Sequence, residues 1–95
     1  MALADNALVR PCEDVLFRDV DGEAVILNLD TEIYFGLNDS GTTIWLALTE
    51  SETVGIAIKK LSQEFEVEES ELRADVSEFV TRLQEKGLVE VRSGE

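Results

Sequence analysis

The hydrophobic pattern of this chain changes its period at Asn38, and that change limits the fold more than any other feature. Before Asn38, short apolar runs at 14–20, 24–29 and 32–37 are rich in β-forming residues. After Asn38, apolar residues recur at helical spacing as far as Lys86. Strands followed by helices predict an α+β domain, in which a three-stranded antiparallel sheet precedes three helices.

Turn and cap residues separate these segments. Asp21-Gly22 is a hairpin signal between the first two strands. Asn38 or Asp39 is expected to cap the start of the first helix, and Thr53 the start of the second. Gly87 is expected to cap the end of the third helix. The second and third helices together are typical of a winged helix-turn-helix. Residues 88–91 are expected to form a short extended segment.

The length of 95 residues predicts a single domain. Residues 1–12 have no firm period and end near Pro11, so we expect a flexible N-terminal tail. The folded domain is expected to span residues 13–92, and residues 93–95 are expected to form a C-terminal tail.

The charge of the chain restricts its partners. There are 21 acidic and 8 basic residues, which gives a formal net charge of −13. Phosphate backbones and anionic membrane surfaces require clustered Lys and Arg, so nucleic acid and membrane are not expected as partners. The sequence also lacks a run long enough to span a bilayer and an N-terminal secretion signal, so we expect a cytoplasmic protein.

Few residues offer catalytic chemistry. The chain contains no histidine, and its single cysteine, Cys12, cannot form an internal disulfide. Ser40 has no histidine to activate it, and the acidic residues fall in turns and on polar helix faces. We therefore expect neither an enzyme nor a metal or cofactor site.

The third strand, near residues 32–37, is an edge strand in a three-stranded meander. Residues 33–37 contain no Lys or Pro to block pairing with another strand. Either a helix or the C-terminal strand covers this edge, or an extended peptide pairs with it. Tyr34 is correspondingly either a cross-strand packing residue or a contact residue.

Two segments carry a resemblance to a known family. Leu37 to Trp45 has the pattern L-N-D-S-G-x-x-I-W, and Asp75 to Val89 has the pattern D-V-x-x-F-V-x-x-L-x-x-x-G-L-V. In this order, within a short chain, they resemble the PqqD-like family over roughly residues 12–92. The resemblance implies a fold of three strands followed by three helices.

The resemblance also implies a function, that of a RiPP recognition element. Such a domain binds the leader of a ribosomally made precursor peptide and presents it to a modifying enzyme, often a radical SAM protein or a protease. Carried over to this chain, the docking edge is Ile33, Tyr34, Phe35 and Gly36. The helix flank expected to form the groove wall is Arg73, Ser77, Val80 and Gln84.

The other flank of the third helix, with Asp75, Arg82 and Lys86, is the alternative groove wall, and Val76, Phe79 and Leu83 are expected in the core. Residues 28–31 and 87–89 depart from the Y-P-E-G-like and G-W-L-like segments of members dedicated to PQQ (pyrroloquinoline quinone) biosynthesis. The chain is more similar to members that serve other pathways, including lasso peptides. A monomer or weak homodimer is expected. A winged-helix DNA-binding module or a homodimerisation module is the alternative function.

Overall fold

The computed structural model describes residues 4–21 and 23–92 of the chain. Five strands and three helices follow one another in these residues: β1 (Leu8–Pro11), β2 (Val15–Val20), β3 (Glu23–Asn28), β4 (Tyr34–Leu37), α1 (Asp39–Glu50), α2 (Val54–Phe65), α3 (Glu69–Glu85) and β5 (Val89–Arg92). The predicted three-stranded antiparallel sheet is present in the order β2-β3-β4, and the three predicted helices follow it. The α+β prediction is confirmed.

The starts of α1 and α2 and the end of α3 lie where the capping residues predict. The Asn38 side chain accepts a hydrogen bond from the backbone of Gly41 at the start of α1. The Thr53 side chain accepts one from Ile56 at the start of α2. Gly87, with φ of 71°, follows the end of α3 in the left-handed conformation that suits glycine.

The N-terminal segment corrects one prediction. The sequence predicts a flexible tail over residues 1–12, but residues 8–11 form β1, which pairs antiparallel with β5 in a second sheet. Ala7 and Val9 are buried in the core, which gives this segment an apolar face to hold it. The final strand therefore pairs with β1 and does not cover β4. The expected tail at residues 93–95 lies outside the described residues.

The core lies between the inner face of the three-stranded sheet and the helices. Trp45 on α1 and Ile58 on α2 are buried there, together with Ile26 from β3. On α3, the buried residues recur at helical spacing and mark the face turned to the core: Leu72, Val76, Val80 and Leu83. Across the described residues, no helix combines the length and apolar character needed to cross a membrane.

A buried amide fixes α3 against the sheet. Asn28, at the end of β3, is 7% exposed. Its Oδ1 accepts hydrogen bonds from the backbone of Asp30 and Thr31, and its Nδ2 donates to the carbonyl of Gly87 at 2.9 Å. One side chain thus connects the turn before β4 to the end of α3 and helps set how the helix lies beside that strand.

Candidate functional site

Strand β4 has a strand neighbour on one side only within the described residues. It pairs with β3, and β2 lies on the far side of β3. Its residues Tyr34–Leu37 carry no charge, whereas the opposite edge strand β2 contains Arg18 and Asp19. Edge strands usually carry charge or proline that discourages further pairing, and β4 has neither.

The direction of the backbone groups on β4 follows from one hydrogen bond. The N–H of Asn28 donates to the carbonyl of Ile33 at 2.9 Å. Because backbone groups alternate sides along a strand, Phe35 and Leu37 also turn their N–H and C=O toward β3. Tyr34 and Gly36 turn theirs outward. These two residues offer two donors and two acceptors at the spacing that another strand requires.

The side chains of β4 divide between two faces of the sheet. Leu37 is buried, and Phe35 is half-buried with its ring in an edge-to-face contact with Phe79 of α3, at a centroid distance of 6.3 Å. Tyr34 points to the outer face and is 70% exposed. The strand therefore has one apolar face toward α3 and one open face toward solvent.

A groove of about 360 Å³ runs beside β4. Three elements form it, namely β4, the start of α1, and one flank of α3. Its apolar lining includes Phe35, Ile44 and Phe79, and its polar lining includes Asp75 and Arg82. An open strand edge next to an apolar groove is the arrangement that binds an extended peptide, with backbone bonds for affinity and pockets for alternate side chains.

The junction between β4 and α1 explains why the sequence places a strand directly before a helix cap. Asn38 Oδ1 accepts from the Gly41 N–H at 2.7 Å, so the chain turns into the helix immediately after Leu37. A Cβ on Gly41 would lie 3.2 Å from that oxygen and 3.3 Å from Leu37, so a glycine suits this close approach. One turn later, buried Trp45 stacks on Phe17 of β2 and anchors the start of the helix.

The predicted strand residues lie together at the edge, but the predicted helix flank does not face it. Val80 is 0% exposed and belongs to the core, so it cannot line a surface in this fold. Arg73 and Ser77 line a wider depression of about 680 Å³, whose lining comes from α3 alone. Gln84 is exposed on the same flank. That depression is the larger of the two, but no residue of a strand lines it.

The alternative flank is the one that lies beside β4. Asp75 and Arg82 line the β4 groove, and Lys86 follows at the C-terminal end of α3. Phe79, expected in the core, is half-buried and lines the groove as well. Val76 and Leu83 are in the core as expected. An aromatic residue at the border of the apolar stripe was the available signal for this flank.

The charged side chains that line the groove, Asp75 and Arg82, are exposed to solvent. Arg82 donates to Glu78 Oε1 at 2.8 Å, one helical turn earlier, and both side chains are mostly in solvent. Exposed pairs of this kind contribute little, so Arg82 is available to an incoming acidic group. Asp75 supplies the opposite charge at the same wall.

The described residues offer little support for a nucleophilic or metal-binding site. Burial raises the pKa of the Cys12 thiol, and the nearby carboxylate of Glu90 raises it further. The thiolate fraction is therefore small near neutral pH, which makes Cys12 a poor nucleophile. Among the described residues, no group of three or more His, Cys, Asp or Glu side chains could hold a metal ion.

The fold and its groove define an α+β domain with an open strand edge. The sequence matches the family model described as coenzyme PQQ synthesis protein D (PqqD) over residues 23–89. The chain belongs to the PqqD family, which confirms the resemblance found in its sequence. A search of curated proteins finds no match.

Two solved structures share the fold. One is described as "TbiB1 in Complex with the TbiA(beta) Leader Peptide", with 30% identity and a TM-score of 0.78, covering 85% of this chain and 94% of that chain. The other is "Lasso peptide synthetase B1 complexed with the leader peptide", with 26% identity and a TM-score of 0.77, covering 86% and 96% respectively. Both similar proteins are thus described as complexes with leader peptides.

Proposed function

We propose that this chain is a non-catalytic adaptor that binds the leader of a ribosomally made precursor peptide and presents it to a modifying enzyme. The observation that carries the proposal is the uncharged, open edge of β4 beside an apolar groove. Family membership and the leader-peptide complexes of the two similar structures support it.

In the proposed complex, the leader adds to β4 as a further strand. The outward backbone groups of Tyr34 and Gly36 hydrogen-bond to it, and alternate leader side chains enter the groove between β4 and α3. Phe35, Phe79 and Ile44 form the apolar part of the proposed site, and Asp75 and Arg82 flank it. Apolar leader residues at every second position would suit this lining.

The catalytic benefit would come from proximity. A leader held on this domain raises the local concentration of the attached core peptide at the active site of another protein. The proposed partner is a peptide-modifying enzyme of the cytoplasm, such as a radical SAM protein or a protease. The departures from PQQ-dedicated members favour a different peptide-modification pathway, and lasso peptide formation is the one that the similar structures support.

No observation favours the alternative of a winged-helix DNA-binding protein. The third helix would be the recognition helix, yet residues 68–86 contain six acidic and three basic side chains. Such a surface repels phosphate.

A single proline substitution, with a matched control on the other edge strand, tests the proposed strand addition. The Tyr34 N–H points outward, so Tyr34→Pro removes a donor for the leader while leaving the β3–β4 hydrogen bonds in place. Asp19→Pro, on the other edge strand, is the control. The Leu29 N–H donates to the carbonyl of Asp14, so the backbone groups of Asp14 turn toward β3. Because these groups alternate along β2, the N–H of Asp19 points outward and takes no part in the sheet.

Amide NMR titrations with synthetic leaders of precursors encoded near this chain measure the outcome. We expect shifts at residues 33–37 and along the Asp75–Arg82 flank, with roughly tenfold weaker binding for Tyr34→Pro and unchanged binding for Asp19→Pro. The TbiA(beta) leader serves as a reference peptide. A folded protein that shifts with none of these peptides would contradict the proposal, and concentration-dependent shifts without peptide would indicate a homodimer through β4.

A further inference from the structure

The outer face of the three-stranded sheet contains a second feature beside the open edge. The strand registers place Leu16, Leu27 and Tyr34 in one row across the sheet, and Arg18, Val25 and Gly36 in the next. Leu16 and Tyr34 are exposed, and Leu27 and Val25 are half-buried. This face is apolar for most of its width and lies opposite the face that packs on the helices.

Gly36 leaves a notch in this face at the edge of β4. A Cβ built on Gly36 would have no heavy atom within 4 Å. The neighbours across and along the strands are Val25, directly opposite in β3, and Tyr34, two residues earlier on the same face. The notch therefore has an apolar side chain behind it and an aromatic ring beside it.

A strand added to β4 would place one residue directly opposite Gly36. Paired residues on neighbouring strands project to the same face, so that residue's side chain points to the outer face, away from the groove. A large side chain there is within reach of Tyr34, its diagonal neighbour on β4. Because Gly36 has no side chain, the same group can also extend across the glycine toward Val25 on the next strand. Cross-strand cover of an edge glycine by an aromatic side chain is a recognised way to stabilise such a position.

We infer that the notch formed by Gly36, Val25 and Tyr34 is a second specificity point, which takes a large apolar or aromatic side chain of the bound peptide. This inference rests on the proposed function, because it requires a peptide strand on β4. It adds that the peptide is recognised on both faces. One set of side chains enters the groove against α3, and one side chain from the alternate set fills the notch.

The test compares wild-type protein with Gly36→Val. Gly36 does not have a left-handed backbone, and the space beyond its Cα is open, so valine is compatible with the strand. The probe is a displayed library of random peptides long enough to pair along β4, selected separately on the two proteins. Leu16→Thr, on the same outer face but on the far edge strand, is the control selection.

We expect peptides selected by the wild type to carry a large apolar or aromatic residue at one outward-facing position. Peptides selected by Gly36→Val should carry a small residue there, and Leu16→Thr should select the same peptides as the wild type. A resynthesised wild-type peptide should bind Gly36→Val roughly tenfold more weakly. The same peptide with alanine at the outward-facing position should bind the wild type and Gly36→Val equally.

Two different failures can be told apart. If the wild type and Gly36→Val select and bind the same peptides equally, the notch is overturned while strand addition stands. If the wild type enriches no peptide and also fails to bind encoded leaders, the proposed function itself fails. A Leu16→Thr effect as large as that of Gly36→Val would also overturn the notch, because the whole face would then be the contact.

Discussion

The two flanks of α3 differ in what they contact, although the sequence makes them look alike. The Asp75–Arg82 flank lies beside β4 and forms a wall of its groove, with Phe79 in contact with Phe35. On the other flank, Arg73 forms an ion pair with Asp5 of the N-terminal segment. One flank is left beside an open strand edge, whereas the other participates in holding the chain together. The neighbours that the fold places beside each flank are therefore the reason why we assign the proposed peptide contact to one flank and not to the other.

The largest effect is expected from Val80, the buried residue of the flank that the sequence predicts as the groove wall. Val80→Glu would bury an unpaired charge, because Val80 is 0% exposed. We expect the free energy of unfolding to fall by about 3–5 kcal/mol or the protein to fail to fold. Circular dichroism melting measures this. If Val80→Glu melted like the wild type and lost only peptide binding, Val80 would belong to the groove wall.

The next effect should come from the residue that fixes α3 beside the sheet. Asn28→Ala removes the hydrogen bond to the Gly87 carbonyl and two bonds to the following turn. We expect a loss of about 1–3 kcal/mol in stability, measured by urea unfolding, because three backbone groups lose their hydrogen-bond partner at once. Thr31→Ala leaves the Asn28 amide intact and is the control. Equal stability of Asn28→Ala and wild type would mean that α3 is positioned by apolar packing alone.

A pair of truncations compares the flanks directly. Phe79→Ala removes the aromatic wall of the β4 groove, and we expect peptide binding to weaken by about 1–2 kcal/mol, or roughly tenfold. Gln84→Ala, on the opposite flank, should bind as the wild type does. Isothermal titration with a peptide that binds the wild type measures both. The reverse ranking would assign the groove to the Arg73–Gln84 flank.

The smallest effect concerns the ion pair on the other flank. Asp5→Asn removes the negative partner of Arg73, and Asp5 is 73% exposed at its side chain. We expect stability to fall by less than about 1 kcal/mol and peptide binding to stay unchanged. Thermal melts at low and high salt measure this, with Glu13→Gln, at an exposed position outside the helices, as a surface-charge control. A large loss of peptide binding would link the N-terminal segment to recognition.

The sequence was sufficient for features that depend on neighbouring residues. Asn38 and Thr53 cap helices because their side chains reach backbone groups three residues away. The change from strand to helix at Asn38 is likewise predictable, because the spacing of apolar residues is a local property of the sequence.

Features that depend on distant pairing were not predictable in this way. Strand β1 has four residues, and its partner β5 lies some eighty positions later, so neither carries a period long enough to identify the pairing. The choice of groove flank depends on how α3 crosses the sheet, and the Asn28–Gly87 contact that helps set this joins residues 59 positions apart. The notch at Gly36 is not predictable for the same reason, because it depends on the pairing of Gly36 with Val25 on β3.

The β1–β5 pairing has a consequence for engineering. Leu8 and Arg92 are partners in that pair, so the first and last strands of the domain lie side by side, and only residues 4–7 of the described chain precede Leu8. Domains with neighbouring ends tolerate transplantation into a loop of a host protein. A host enzyme could therefore display this domain from one of its own surface loops on two short linkers, and the β4 edge would be joined to a new active site without cutting the fold.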